Sequence, residues 1–121
     1  MVFDMDSFKT VNDNLGHSVG DAVLKRASEL LLDVFSEPAY SVFRIGGDEF
    51  AVICEGVCER ELQSLLGALQ LRIDARQSPV AFSMSVGYAF VDANENNAVE
   101  QAFTRADGMM YRCKRERKLI G

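Results

Sequence analysis

The sequence has a single histidine, His17, only three cysteines and two prolines, and no apolar run of membrane-spanning length. Each shortage excludes something. Cys54 and Cys58 are spaced like half of a zinc site, but Cys113 is alone and the second pair of ligands is missing. An odd cysteine count with no secretory leader in view predicts reduced thiols, buried as small core residues, in a cytoplasmic setting. The longest uncharged stretch, Gln77 to Val91, has fifteen residues and alternates large with small, so it reads as a strand rather than a membrane helix. Neither Gly-x-Gly-x-x-Gly nor Gly-x-x-x-x-Gly-Lys-Ser/Thr is present, which argues against a Rossmann or P-loop site. With no internal repeat or low-complexity linker, the 121 residues are expected to form one domain, 1–121.

What is present suits a globular chain: 48% hydrophobic and 26% charged residues. At this size about two-thirds of the unfolded surface can be buried, so no staple is required. The formal charge is −5, a poor match to a nonspecific nucleic-acid coat. The distribution is uneven. Arg105 to Lys118 holds six basic and two acidic residues, net +4, against seven basic and sixteen acidic residues elsewhere, net −9. An acidic body with a basic last helix could hold cations in one part and phosphates in the other. A solvated helix face would give the same count.

The hydrophobic pattern predicts the order β-α-α-β-β-α-β-α. Met1 to Asp4 ends a strand. Asp6 is expected to cap a short helix from Ser7 to about Asn14, which Gly16 ends. Ser18 is expected to cap the next helix, with Val19, Val23, Ala27, Leu30, Leu31 and Val34 on its buried face and Pro38 closing it. Tyr40–Ile45 and Glu49–Cys54 read as strands joined by a tight Gly46-Gly47 turn with positive φ. Leu62, Leu65, Leu66, Leu69 and Ile73 mark a third helix, broken at Ser78-Pro79. From Val80 to Phe90, large residues alternate with Ala81, Ser83, Ser85, Gly87 and Ala89, a strand whose small-residue face admits close helix packing. The last helix is expected to bury Val99, Ala102, Phe103, Ala106, Met110 and Cys113, with Asp107, Tyr111, Lys114 and Lys118 on another stripe. This is an α+β fold: an antiparallel-centred sheet with helices on one face.

Three segments carry the chemistry: Asp4-Met5-Asp6, Asn12 to Asp21, and Gly46-Gly47-Asp48-Glu49-Phe50. A carboxylate at a strand end and another at a neighbouring turn can share a hard cation, and Mg²⁺ prefers such a site with waters and ligand phosphates completing it. A solvated Asp-x-Asp is the plainer alternative. An EF-hand fails: Phe8 and Lys9 fall at the fifth and sixth positions from Asp4, and Asn97 and Phe103 at the sixth and twelfth from Asp92.

These residues resemble the GGDEF family of diguanylate cyclases over essentially the whole chain. The resemblance rests on Arg44-Ile45 followed by Gly46-Gly47-Asp48-Glu49-Phe50. It rests also on Asp4-Met5-Asp6-Ser7-Phe8-Lys9-Thr10-Val11-Asn12-Asp13 with Gly16-His17-Ser18-Val19-Gly20-Asp21, and on Ala106-Asp107 through Tyr111-Arg112-Cys113-Lys114. Three blocks in order and at the right spacing make a chance match improbable.

The resemblance implies a fold like the palm of nucleotide cyclases and polymerases. It implies a homodimer in which two GTP molecules condense to cyclic di-GMP with release of pyrophosphate. By similarity, Asp4, the Met5 carbonyl and Asp48 would hold Mg²⁺ (or Mn²⁺), and Asp48 and Glu49 would be the catalytic pair, their roles not divided. Asn12 and Asp21 would recognise guanine, since a carboxylate accepts from its N1–H and amino edge and an amide both donates and accepts. His17 would line the pocket or simply join two helices. Phe8 and Lys9 would open a helix whose free N–H groups receive phosphate oxygens, Phe8 being equally suited to the core. Gly46 and Gly47 would let backbone and ligand approach, and Lys114 and Lys118 would meet phosphates.

Some positions depart from the family pattern. Members carry an Asp-x-Leu-Thr segment and a helix ahead of the first strand, where this sequence has three residues before Asp4, so a fragment or truncated member is expected. Arg117-Lys118 stands where Gly-Arg is usual, giving a point charge without a bidentate fork. Glu37-Pro38-Ala39-Tyr40 stands where many members have the Arg-x-x-Asp product-inhibition site, so no feedback through it is expected. The implied setting is cytoplasmic, possible also for part of a larger anchored protein, with a sensor upstream, no nucleic acid and no membrane contact by this domain. The rival reading is a catalytically silent module that binds GTP or serves regulation and dimerisation.

Overall fold

The computed structural model describes residues 1–75 and 81–120, with the side chains of 117–120 outside the description. The expected break at Ser78-Pro79 and the start of the last strand at Val80 lie outside the described residues. In chain order the elements are β1 (Val2–Met5), α1 (Phe8–Leu15), α2 (His17–Val34), β2 (Tyr40–Arg44), β3 (Glu49–Cys54), α3 (Glu59–Ala75), β4 (Met84–Gly87) and α4 (Ala98–Ile120). The order is the one the sequence pattern predicts. The strands form one four-stranded sheet in the order β2-β3-β1-β4. β1 runs antiparallel to both neighbours, with Asp4 opposite Glu49 on one side and Ser85 on the other.

The chain divides into two compact units. The first holds residues 1–6, 44–51 and 84–121. Here α4 lies along β1 and β4, and Val2, Ala106 and Met110 form its core with Ala89 against them. Burying Met110 completely is worth about 1.5–3 kcal/mol. Gly87 is where helix and strand come closest: a Cβ there would collide with the Ala106 carbonyl and the Met110 amide nitrogen. The expected small-residue face is therefore real, and Gly87 is the residue that makes it necessary. The second unit holds residues 7–43 and 52–83. Its helices α2 and α3 bury Val23, Leu24, Ala27, Leu30, Leu31, Leu62, Leu69 and Ile73, while α1 packs on α2 with no residue of its own fully buried. Phe35 meets Tyr40 edge-on, ring centres 6.2 Å apart.

Several expectations are corrected. Both faces of β1 are covered, since all four of its residues are buried, so helices on one face alone do not account for it. β4 is only four residues long, and Tyr88 and Phe90 leave the ladder to stack edge-on, 6.4 Å apart. The cap position of α1 is Ser7, not Asp6, with φ +56° and no side-chain cap. α2 begins at His17, ahead of Ser18, because Gly16 at φ +89° ends one helix and opens the next in a single residue. On α4 the buried stripe is Ala102, Ala106 and Met110, while Val99 and Phe103 are exposed. Cys58 is exposed and Cys54 and Cys113 are half-buried, so none is a fully enclosed core residue.

Candidate functional site

Residues two apart on a strand share a face, and so do residues opposite one another across a ladder. Val2 packs on Ala106 and Met110 of α4. Asp4 therefore faces α4 as well, and its partners Glu49 and Ser85 complete one row across three strands. From Val2 to Asp4 is roughly 6.7 Å of strand, and from Met110 to Lys114 roughly 6 Å of helix. Lys114 thus comes to Asp4 as Met110 comes to Val2. Its Nζ lies 2.9 Å from Asp4 Oδ2 and 3.5 Å from the Met5 carbonyl oxygen. The sequence pattern put Lys114 on a separate stripe from Met110, but four residues of helix place them on one line.

Asp4 is 8% exposed, and its other oxygen, Oδ1, is buried without a hydrogen-bond partner. Burial raises its pKa above the usual aspartate value, Asp48 nearby adds to the rise, and the Lys114 ammonium opposes it. The Glu49 carboxyl is also raised, first by burial, then by Asp107, Asp4 and Asp48, again with Lys114 opposing. Four carboxylates and one lysine thus share one end of the sheet. An unpartnered buried oxygen in a surplus of negative charge is the chemistry of a hard-cation site. Among the described residues no group of three or more Asp, Glu, His or Cys forms a metal cage. The expected set of two carboxylates and a carbonyl is a sparser arrangement.

Asp48 closes the loop 45–48 between β2 and β3. Its backbone carbonyl accepts the Met5 N–H at 3.0 Å, which ties the loop to the end of β1. Arg44 donates to the Gly46 and Gly47 carbonyls at 3.2 and 2.8 Å, and the Ile45 and Gly46 amides donate to the Glu49 carbonyl. The glycines at positive φ among the described residues are Gly16 and Gly56, so the tight primed turn expected at Gly46-Gly47 is replaced by a wider loop pinned by Arg44. A Cβ on Gly46 or Gly47 would meet nothing within 4 Å. The space beside the loop is open to an incoming group.

Asp6 accepts a hydrogen bond from the fully buried Ser85 hydroxyl at 2.5 Å, holding the end of β1 against β4. Ser85, Asp107, Arg44 and Gly87 were not singled out as site residues by the sequence. The small residues Ser85 and Gly87 did carry a signal, their place in the alternating strand. Asp107 and Arg44 lie within the recognised blocks, but nothing in the sequence marked them as site residues.

The second unit contains the other block. Asn12 lies on α1, and Gly20 and Asp21 lie in the first turns of α2. A Cβ on buried Gly20 would strike Asn12 Oδ1 and lie 3.3 Å from the Phe8 ring. Gly20 therefore exists to let α1 and α2 close on Asn12 and half-buried Phe8. Asn12 Oδ1 is buried with no hydrogen-bond partner, while Lys9, His17 and Asp21 are exposed. The Lys118 side chain lies outside the described residues.

Comparison with known proteins identifies the family. The family model described as diguanylate cyclase, GGDEF domain, matches residues 1–119. The probable diguanylate cyclase DgcI of Escherichia coli K12 is 36% identical over 114 residues, which are 94% of this chain and 25% of that protein. A membrane protein of Staphylococcus haemolyticus, SH2145, is 28% identical over 96% of this chain and 34% of its own length. The GGDEF domain of DgcB from Caulobacter crescentus, solved in complex with c-di-GMP, superposes with a TM-score of 0.86 at 28% identity, covering 95% of this chain and 70% of that one. The chain thus spans about a quarter to a third of these two longer relatives. Among the described residues no helix is long and apolar enough to cross a membrane.

Proposed function

The chain belongs to the GGDEF family, and on that premise we propose that it is a diguanylate cyclase domain that condenses two GTP into cyclic di-GMP. The observation that carries this reading is the convergence of Asp4, Asp48 and Glu49 at one end of the sheet, with Asp4 Oδ1 buried and unpartnered. Acids crowded together and partly buried are costly to a fold, and such clusters concentrate at functional sites.

The residues fit a hard divalent cation, Mg²⁺ or Mn²⁺, held by Asp4, the Met5 carbonyl and Asp48. Bound there, it would lower the pKa of a ribose 3′-hydroxyl and neutralise phosphate charge. Asp48 and Glu49 supply the proton acceptor for that hydroxyl. The open side of Gly46-Gly47 admits the triphosphate, with the ammonium groups of Lys114 and Lys118 as anion partners, while in the second unit the first amides of α1 at Phe8 and Lys9 are free to receive phosphate oxygens. Asn12 and Asp21 select guanine over adenine, whose edge would leave them unpaired, and His17 borders that pocket.

The hydroxyl oxygen of one GTP attacks the α-phosphorus of the other, a new P–O bond forms, and the bond to the β-phosphate breaks. Pyrophosphate leaves with the displaced electron pair, and the reciprocal step closes the ring. Each nucleotide must present its hydroxyl to the other, so two copies work face to face. The parent protein is proposed to place this domain in the cytoplasm behind a sensor, and to be membrane-anchored as one relative's name suggests.

The test is incubation of the protein, dimerised through a fused coiled coil, with GTP and Mg²⁺ and chromatography of the products. Cyclic di-GMP and two pyrophosphates per ring are expected, and Asp48→Ala should abolish both without changing the melting temperature by more than a few degrees. Absence of any cyclic dinucleotide from the parent protein as well as from this chain refutes the proposal.

A further inference from the structure

Lys114 stands on α4, one helical turn beyond Met110, and its ammonium does not point to solvent. It sits 2.9 Å from Asp4 Oδ2 and 3.5 Å from the Met5 carbonyl, two of the three groups assigned above to a divalent cation. It is also the positive group that opposes the raised pKa of both Asp4 and Glu49. The side chain is only 22% exposed, so this is a partly buried seat and not a loose surface pair.

We propose that Lys114 is the built-in counter-ion of this site. It fills the cation position when no nucleotide is bound and gives it up when phosphates offer a second seat. The inference rests on the cation-site reading above. A cation on Asp4 Oδ1 and the Met5 carbonyl would lie close to the Lys114 ammonium, which holds Asp4 Oδ2 and reaches the same carbonyl, and the two would repel each other strongly. A divalent ion arriving alone must therefore push Lys114 off Asp4 and compete with it for the remaining carboxylates, Asp48, Glu49 and Asp107. An ion arriving with a triphosphate brings a further anion to receive it, because a four-carbon ammonium arm can swing from a carboxylate to a phosphate as a point charge. Lys114 thus makes metal and nucleotide binding mutually dependent, and offsets part of the carboxylate charge between turnovers.

The arrangement predicts effects of opposite sign from one substitution. Lys114→Met keeps the length and the apolar stem while removing the charge. Mn²⁺ alone, titrated by electron paramagnetic resonance, should bind Lys114→Met roughly fivefold or more tightly than the unmodified chain. Mn²⁺ with GTP carrying a non-reacting α,β-methylene bridge should bind more weakly, so that the coupling between metal and nucleotide falls. Lys114→Gln, titrated in the same way, provides a second uncharged side chain if the methionine variant does not fold. Lys114→Arg should behave as the parent toward Mn²⁺ alone. Equal or weaker binding of Mn²⁺ alone by the uncharged variants overturns the proposal while leaving the site reading intact. If Asp4→Asn leaves Mn²⁺ binding unchanged, or no form binds Mn²⁺, the site reading falls and the proposal with it.

Discussion

Gly87 is the most exacting position in the first unit, and Gly87→Ala tests the account of how α4 is seated. A methyl group there would lie 2.9 Å from the Ala106 carbonyl carbon, and closer still to its oxygen and to the Met110 amide nitrogen. Ordinary contacts of this kind need about 3.5–4.0 Å. The obstacles are helix backbone, so no side chain can turn aside, and α4 must retreat by about 1.5–2 Å. That retreat loosens Ala106 and Met110 against Val2, the core of this unit. Overpacking of this sort costs about 1–3 kcal/mol, and replacing glycine in a strand returns at most about 1 kcal/mol through the unfolded chain. A net loss of about 1–2 kcal/mol is expected, which for a chain of this length lowers the melting temperature by about 4–8 °C. Urea unfolding followed by circular dichroism measures it. The retreat also carries Lys114 away from Asp4, so metal–nucleotide coupling should weaken in the same variant. A Gly87→Ala protein within 0.5 kcal/mol of the parent, or more stable, refutes the reasoning.

Gly20→Ala meets the movable end of Asn12 instead of backbone, so the fold should survive while Asn12 swings out; calorimetry should show GTP binding weakened at least about tenfold. Glu49→Gln removes a carboxylate whose pKa is raised in the folded state. Such a group stabilises the fold below its unfolded pKa and loses that contribution as pH rises through its folded value. Glu49→Gln should therefore be more stable than the parent near pH 7, the gap closing toward about pH 4, and a gap constant with pH contradicts the assignment. Ser85→Ala removes the donor to Asp6 and should cost about 1–3 kcal/mol in urea unfolding, with a weaker hold on the end of β1.

The element order was legible because each segment announces itself locally. Leu30 and Leu31 on α2 and Leu62, Leu69 and Ile73 on α3 follow helical spacing, and β3 matches its run of β-formers to the residue. The candidate site was legible as a set of positions, since Asp4, Asp48, Glu49 and Lys114 lie in recognisable blocks. What stayed hidden depends on distances that periodicity does not encode. Gly46-Gly47 looked like a primed turn, but Arg44 anchoring both carbonyls selects a wider loop. Asp6 looked like a cap, but the Ser85 hydroxyl, 79 positions away along the chain, claims it. Val99 and Phe103 looked like core because they are apolar, yet the face that meets Gly87 admits only the alanines and Met110.

The same row of residues explains why this end of the sheet resists being read as structure. A stabilising sequence would place an apolar residue at position 4, opposite Ser85 and beneath α4. Instead burial raises the Asp4 pKa, two further acids press on Glu49 besides it, and a single lysine offsets them. Local rules are broken along this row, and the cost is met by well-packed neighbours such as Val2, Phe3, Phe50 and Met110. The arrangement therefore predicts that neutralising the cluster and filling the cation position are interchangeable for stability. Mn²⁺ at saturating concentration should raise the melting temperature of the parent protein, and should raise that of Asp4→Asn much less, because the substitution has already relieved the repulsion and removed a ligand. Equal increments in both proteins would show that the ion binds elsewhere.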